Sequence, residues 1–277
     1  AARIARKPKP YGDAKFGTVL DAEKKALTSG DGLILGKLNG VTVSSNDPSH
    51  VLVVGPTRSG KGVSFIIPNG YAWHGSSVWF DPKKENYQAF AAHRAAIGDK
   101  VFFFAPGEAH SHRYNPLDYI RLDSSMSTDA LVVASFFVEP SKPEIWGRAA
   151  RLMMAALIGY VLTSKTTADA RHMRSVARLT TTGDEFSMVL KTRVSSEGKD
   201  LPQWVVDGFN QFIALEDETR NSVLFNVNTA LNPWNNPLVI AATATSDFDI
   251  REFRRVPNAL FIGCSVAQLA VFRPIIK

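Results

Sequence analysis

His50-Val51-Leu52-Val53-Val54-Gly55-Pro56-Thr57-Arg58-Ser59-Gly60-Lys61-Gly62 is the stretch whose reading decides the fold. A β-branched apolar run enters a glycine-rich turn, and a second apolar run, Val63-Ser64-Phe65-Ile66-Ile67, leaves it. The order reads as strand, phosphate loop and helix, the setting that gives a G-x-x-x-x-G-K match its meaning. Gly55 and Gly60 let the backbone curl so that successive N–H groups point inward, and the positive end of the following helix adds to the same anion nest. The pattern predicts nucleotide contacts from Gly55, Pro56, Thr57, Arg58, Ser59, Gly60, Lys61, Gly62 and Val63, with Lys61 reaching the β- and γ-phosphates. Where a Ser or Thr would hold Mg²⁺ the chain has Gly62, which offers no side-chain oxygen. The metal is then held by other protein groups, by water and phosphate, or weakly. The competing reading is a glycine-rich connection that needs positive φ angles and binds nothing. Arg58 likewise reads either as a contact to phosphate or a neighbouring carboxylate, or as a solvated loop side chain.

Working outward, the 277 residues are 45% hydrophobic, enough to bury a sizeable core in one large or two ordinary domains. The net charge of +6, from 32 Lys+Arg against 26 Asp+Glu, suits nucleic acid or an anionic membrane surface and demands neither. One cysteine, Cys264, excludes an internal disulfide and fits a reducing compartment; its apolar setting reads as core packing. The most apolar stretch, Leu152 to Leu162, falls short of the roughly 20 residues that span a bilayer. No signal-peptide pattern is read at the start, and Ala1-Ala2-Arg3-Ile4-Ala5-Arg6-Lys7, without a methionine, reads as a cut inside a longer chain.

In chain order, a basic, proline-containing start through Lys9-Pro10 leads to Gly12-Asp13-Ala14-Lys15-Phe16-Gly17 and a short helix predicted over Leu20 to Leu27. Asn39-Gly40 between two apolar runs signals a two-residue hairpin, because both positions tolerate positive φ. After the phosphate loop, Ser77-Val78-Trp79-Phe80 reads as a strand ending at Asp81, followed by a helix over Gln88 to Ala96 and a strand over Val101 to Phe104. This alternation is that of a parallel α/β sheet, whose binding loops lie at the strands' carboxyl ends, so topology sets Asp81 beside the phosphate loop. From about Tyr119 helical spacing takes over. Trp146, Ala149, Leu152, Met153, Ala156, Leu157, Tyr160 and Val161 line one face, with Pro143-Glu144 before them. Further helices are predicted over Asp184 to Val194, Pro202 to Leu215 and Thr219 to Leu231, their Met and Phe residues as core. Strand character returns in Ala259 to Cys264. The expected organisation is an α/β nucleotide domain from residues 1–118 and 237–277 with an all-α domain, 119–236, inserted between strands of its sheet. His110-x-His112 lacks a third ligand and reads as a solvated loop rather than a metal site.

Several segments together resemble one family. They are His50 to Gly62, Asp81-Pro82-Lys83-Lys84-Glu85-Asn86, Phe104-Ala105-Pro106-Gly107, His112-Arg113-Tyr114-Asn115-Pro116-Leu117-Asp118, Asn232-Pro233 and Ser246-Asp247-Phe248-Asp249-Ile250-Arg251 with the strand after it. They look like the TraG-type coupling proteins of bacterial type IV secretion systems. That family commonly reads R-S-G-K-G in its phosphate loop, so Gly62 agrees with it; Lys84 departs, standing where the family's D-x-K-G-E-N has glycine. The resemblance implies an ATPase with Mg²⁺ at a RecA-like P-loop domain, an all-helical domain, anchorage in the inner membrane by amino-terminal helices facing the cytoplasm, and assembly as a hexamer. It implies recruitment of DNA–relaxase complexes or effector proteins and their delivery to the channel of the secretion system. It also implies a Walker B strand ending in Asp-Glu, expected past Lys277, and a chain that is part of a longer protein.

The expected catalytic groups are Lys61, Asp81 and Glu85. Two readings of the acids stay open. In one, Asp81 is the Walker B acid, orienting Mg²⁺ through water while Glu85 polarises the attacking water. In the other, which the resemblance favours, they support the site while the Walker B acid lies elsewhere. An arginine from a neighbouring subunit is expected to complete the site, with Arg113, Arg251, Arg254 and Arg255 available. Two alternatives of other kinds are a substrate-docking module without ATPase activity of its own and an FtsK-like DNA translocase.

Overall fold

The computed structural model of the chain describes residues 16–140 and 144–276. The expected basic start, Gly12 to Lys15, Pro143 and Lys277 lie outside the described residues. In chain order the elements are α1 (Val19–Lys24), β1 (Leu33–Leu38), β2 (Val41–Ser45), a π-helical turn (Gly62–Ile66) that runs into α2 (Ile67–Ala72), β3 (Ser77–Phe80), α3 (Glu85–Ala96) and β4 (Lys100–Phe104). Next come α4 (Met126–Phe137), α5 (Glu144–Thr163), α6 (Met173–Leu179), α7 (Phe186–Glu197), α8 (Gln203–Ile213), α9 (Asp217–Leu231), α10 (Pro237–Ala242), β5 (Asn258–Ile262) and α11 (Val266–Ile276). They fall into two compact units, one built from the chain up to Gly75 with Gln88–Ile97, the other from Ser76–Tyr87 with the chain from Gly98 onward.

In the first unit α1 starts at a capping box. The Thr18 hydroxyl accepts from the Asp21 N–H, and the Asp21 carboxylate accepts from the Thr18 N–H. The antiparallel β1–β2 hairpin turns at Asn39 and Gly40, both left-handed at φ 50° and 83°, as that residue pair predicts. Asn69 of α2, 3% exposed, clips the hairpin to the helix: its amide oxygen accepts from Ile34 N–H at 2.7 Å and its amide nitrogen donates to Ile34 C=O at 2.9 Å.

The strand expected over His50–Val54 does not form a ladder. Val51, Leu52, Val53 and Val54 are 47%, 86%, 42% and 83% exposed, a two-residue alternation with no paired strand among the described residues. β-branched residues favour a pleated surface only when a partner edge supplies the packing, and the hairpin in this unit pairs only with itself.

In the second unit β3, β5 and β4 form a parallel sheet with β5 in the middle, Phe80 and Phe104 both in register with Ile262. α4 to α10 intervene in sequence between β4 and β5. β5 is buried at its first four residues, which is why it reads as a continuous apolar run rather than an alternating one. The main core gathers around α5, where Met154, Leu157, Ile158 and Val161 are fully buried. By length and composition α5 is apolar enough to cross a bilayer, longer than the Leu152–Leu162 run suggested, and 67% of its most apolar window is buried within the fold. Small residues let α8 approach it: a Cβ on Gly159 would lie 2.3 Å from the Trp204 ring and 2.7 Å from Val205. The helices predicted from the sequence appear as α1, α3, α5, α7, α8 and α9, with ends shifted by up to three residues. α11 was not predicted; its Phe272 packs on Gly107, where a Cβ would meet the ring at 2.6 Å, which explains the glycine in Phe104-Ala105-Pro106-Gly107. Cys264 is 3% exposed, and burial pushes its thiol up, in keeping with a packing role.

Candidate functional site

The phosphate loop belongs to the first unit. Ser59 N–H donates to Pro56 C=O at 3.2 Å, closing the turn, and Arg58 and Gly60 are left-handed at φ 64° and 83°. A non-glycine residue held at such a φ costs about 1–2 kcal/mol, a strain that persists where the surroundings impose it. Gly60 takes its conformation freely. Gly55 is demanded by space, since a Cβ there would lie 2.7 Å from Ser59 Oγ. Around Gly62 the space is open and its φ is ordinary, so the missing hydroxyl at this position is not a steric necessity. Lys61 opens the π-helical turn and its ammonium folds back over the loop, donating to Gly55 C=O at 2.7 Å, Pro56 C=O at 2.8 Å and Ser59 Oγ at 3.4 Å. Arg58 is exposed and makes no ion pair among the described residues.

Asp81 and Glu85 belong to the second unit. Asp81 is 2% exposed; its Oδ2 accepts from Tyr87 N–H at 2.8 Å, its own N–H donates to Ile262 C=O at 2.9 Å, and its C=O accepts from Lys84 N–H at 3.1 Å. The carboxylate thus closes the turn from β3 into α3, and Tyr87 is set against Phe103 and Phe261 with ring centroids 4.7 and 5.3 Å away. Glu85 projects outward, 70% exposed, with Lys83 Nζ 4.0 Å away. Lys84, where the resembled family has glycine, is left-handed at φ 61° and its ammonium pairs with Glu108. Replacing Lys84 with glycine is expected to raise stability by about 1 kcal/mol, because relief of a left-handed side chain outweighs a half-exposed ion pair. A thermal melt of Lys84→Gly against the parent checks this, and a lower melting temperature would refute it.

Two segments far apart in sequence are stitched together in the same unit. The Arg113 guanidinium grips Asp247 through Nε at 3.0 Å and Nη2 at 2.6 Å, and Asp247 also accepts from the Arg113 N–H at 2.7 Å. Asn115 accepts from Leu117 N–H and donates to Asp118 and to Arg171 C=O; Ser246 Oγ donates to Asp118 at 2.6 Å. Tyr114 stacks on Phe248 at 5.5 Å, and the Arg251 guanidinium lies 5.0 Å above the Tyr119 ring. The motif around Arg113-Tyr114-Asn115-Pro116 is therefore a clasp. His112 belongs to it, correcting the solvated-loop reading: its N–H donates to Phe103 C=O at 2.8 Å, its Nδ1 is 3.0 Å from Phe103 N–H, and its ring stands edge-on to Phe102. Sequence reasoning missed this role because backbone-directed side-chain bonds leave no periodic signal.

The Arg113 guanidinium holds the Asp247 carboxyl below the usual carboxylate range, and Arg251 does the same to Asp249. A lowered folded value means the contribution is present above the unfolded carboxyl value of about 3.9 and fades as pH falls below it. Asp247→Asn is expected to show a smaller drop in melting temperature than the parent between pH 7 and pH 3; an equal drop would show that this pair adds nothing to acid stability.

A glycine-cradled lysine loop at the head of a helix, and a parallel sheet with helices intercalated in sequence before its central strand, make this a mixed α/β protein with a P-loop-type turn. The model of the family described as "Type IV secretory system Conjugative DNA transfer" matches residues 15–277, and the chain belongs to that family. Protein VirD4 of Rhizobium radiobacter is 27% identical over 299 residues, covering 98% of this chain and 41% of that protein. A conjugal transfer protein TraG of Escherichia coli is 29% identical over 245 residues, covering 84% of this chain and 38% of that protein. The chain therefore spans about two fifths of the length of these relatives. Among solved structures, the plasmid coupling protein TrwB in complex with the ATP analogue ADPNP matches with a TM-score of 0.61 at 20% identity, over 91% of this chain and 56% of that one. TrwB in complex with ADP and Mg²⁺ matches with a TM-score of 0.59 at 19% identity over the same shares. At such identities the likeness speaks for the fold.

Proposed function

We propose that the chain is the nucleotide-binding part of a type IV secretion coupling ATPase, which binds ATP with Mg²⁺ and uses its hydrolysis to hand DNA–protein or protein substrates to a secretion channel. The observation that carries this reading is the Lys61 ammonium held over Gly55, Pro56 and Ser59 within a chain whose family match runs from residue 15 to 277. The Gly55 cradle and the free Arg58 fit a phosphate chain, so residues 55–63 hold the nucleotide and Lys61 exchanges loop carbonyls for phosphate oxygens as charge grows on them. With no hydroxyl at Gly62, Mg²⁺ would be carried mainly by phosphate and water, where it neutralises the transferred group. Asp81 acts by fixing the turn that presents Glu85, and Glu85 is the exposed acid available to a water.

Of the four arginines read as completing a neighbour's site, Arg113, Arg251 and Arg255 are paired with Asp247, Asp249 and Glu252. Arg254 has no acidic partner among the described residues, and we assign it the role across a subunit boundary of a homo-hexamer. We further propose the division into a nucleotide domain of residues 1–118 and 237–277 and an all-α domain of 119–236, and a place at the cytoplasmic face of the inner membrane. A second reading, a docking module without turnover, is favoured by Asp81 being engaged in its own turn. Phosphate release from ATP by this chain, with Mg²⁺ and with EDTA, separates the two: Mg²⁺-dependent release supports the ATPase, and nucleotide binding without release supports the docking module.

A further inference from the structure

The second unit carries a pocket of about 310 Å³ whose lining includes Tyr160 of α5, Thr166, Ser175, Arg178 and Leu179 of α6, and Arg193 of α7. Its donors are not spent. Arg178 is exposed and makes no ion pair or hydrogen bond through its side chain among the described residues, and the Ser175 hydroxyl, three residues earlier on the same face of α6, has no partner among them either. Arg193 uses Nη1 on Glu197 at 3.2 Å and rests its guanidinium 5.9 Å from the Tyr160 ring centroid, which leaves its other N–H groups available. The acid paired with Arg193 is already engaged: Glu197 accepts from the Tyr160 hydroxyl at 2.8 Å, from the Ser164 hydroxyl and from Arg193. Those contacts hold the Glu197 carboxyl below its ordinary value despite its partial burial, so it stays ionised and keeps Arg193 in place.

Two guanidiniums and a hydroxyl around a small pocket with an aromatic wall are the donor set of an oxyanion site, and guanidinium forks match tetrahedral oxygens in pairs. The surrounding sequence adds to the field. From Lys165 to Arg178 four basic residues, Lys165, Arg171, Arg174 and Arg178, stand against the acid Asp169 within that stretch, and Lys165 is paired with Asp200.

We propose that this pocket is a second phosphate-binding site, taking a phosphate group between Arg178 and Arg193 with Ser175 as a further donor. The phosphate comes either from a small molecule or from a nucleic-acid backbone; the site itself does not rest on the ATPase reading, and only the choice of nucleic acid as a source draws on it. Inorganic phosphate, titrated at low salt into the isotope-labelled chain bearing Lys61→Ala, is expected to shift the amide signals of residues 172–179 and 191–195 saturably. Arg178→Gln and Arg193→Gln should each weaken this by about tenfold or more. Arg178→Gln, whose side chain has no partner among the described residues, should leave the melting temperature unchanged, whereas Arg193→Gln gives up the pair with Glu197 and should lower it. Arg178→Lys, which keeps the charge and loses the fork, should recover part of the binding. Competition then separates the sources: displacement by a single-stranded oligonucleotide, with a steep salt dependence, assigns a polynucleotide backbone, and displacement by a mononucleotide alone assigns a small molecule. Shifts that are absent, or that persist unchanged in both glutamine variants, would overturn the site. ATP turnover of the chain with Lys61 intact is measured alongside, so a failed coupling-ATPase reading is told apart from a failed second site.

Discussion

Lys61→Ala is expected to lower ATP turnover by about 10²–10³-fold, the loss that follows removal of one donor aimed at developing charge. Its melting temperature should stay close to that of the parent. The two expectations come from the same geometry. Among the described residues the hydrogen bonds of the Lys61 ammonium go to Gly55 C=O, Pro56 C=O and Ser59 Oγ, all within the loop. Hydrogen bonds of this partly exposed kind contribute about 1 kcal/mol or less each, because water replaces them. On the proposed function the same ammonium would face phosphate oxygens from which water is largely excluded, and there the charge would act at full strength. Lys61→Arg should not rescue turnover. The planar fork cannot enter a loop already so tight at Gly55 that a single methyl would collide with Ser59 Oγ at 2.7 Å. Turnover by Lys61→Ala equal to that of the parent would remove Lys61 from the chemistry and with it the ATPase reading.

Much of this was legible from residue types alone. Asn39-Gly40, the parallel strands, the helical faces with buried Met and Phe, and the phosphate loop each follow from a local rule: positive φ, period of hydrophobicity, anion nest. The parts that were not legible depend on partners distant in sequence. Val51 to Val54 carry every local mark of a strand, yet a ladder is a property of two segments, and propensity says nothing of the second. Asp81 ends an apolar run as a catalytic acid would. The sequence leaves open whether it acts in the chemistry or supports the site, and the partner of its Oδ2, the Tyr87 N–H of the following turn, is a contact that no local pattern reveals. His112 reads as a solvated loop residue and Arg113 as an arginine available to a neighbouring subunit, whereas they bind Phe103 and Asp247, nine and 134 residues away. Lys84 is the opposite case. The family's glycine there was a clue to a left-handed backbone, and the φ of 61° at a lysine explains what the pattern alone could only register as a departure.

The second large expected effect lies at Trp234, next to the Asn232-Pro233 pair that the resemblance singled out. Pro233 starts a short 3-10 turn at the end of α9, and the turn drops Trp234 into the core, where it is fully buried and stands edge-on to Phe137 at 5.2 Å. Its indole N–H donates to Thr243 Oγ1 at 2.9 Å, that hydroxyl donates onward to Val239 C=O at 2.8 Å, and the Trp234 C=O accepts from Arg174 at 3.0 Å. The ring therefore ties α4 to the end of α10, and the backbone of the same residue ties α6 to the end of α9. Trp234→Ala should cost about 3–5 kcal/mol, the sum of lost burial and the cavity left behind, which for a chain of this size is a fall in melting temperature of roughly 6–20 °C. Trp234→Phe keeps most of the ring and loses the N–H, so Thr243 forfeits one bond and the cost should be nearer 1 kcal/mol. Urea unfolding followed by far-ultraviolet circular dichroism measures both. Equal losses for the two variants would mean that the hydrogen bond to Thr243, and not the volume of the ring, holds these helices together. A loss below about 1 kcal/mol for Trp234→Ala would mean that the neighbouring helices close over the site, and Trp234 would then not be the anchor its burial indicates.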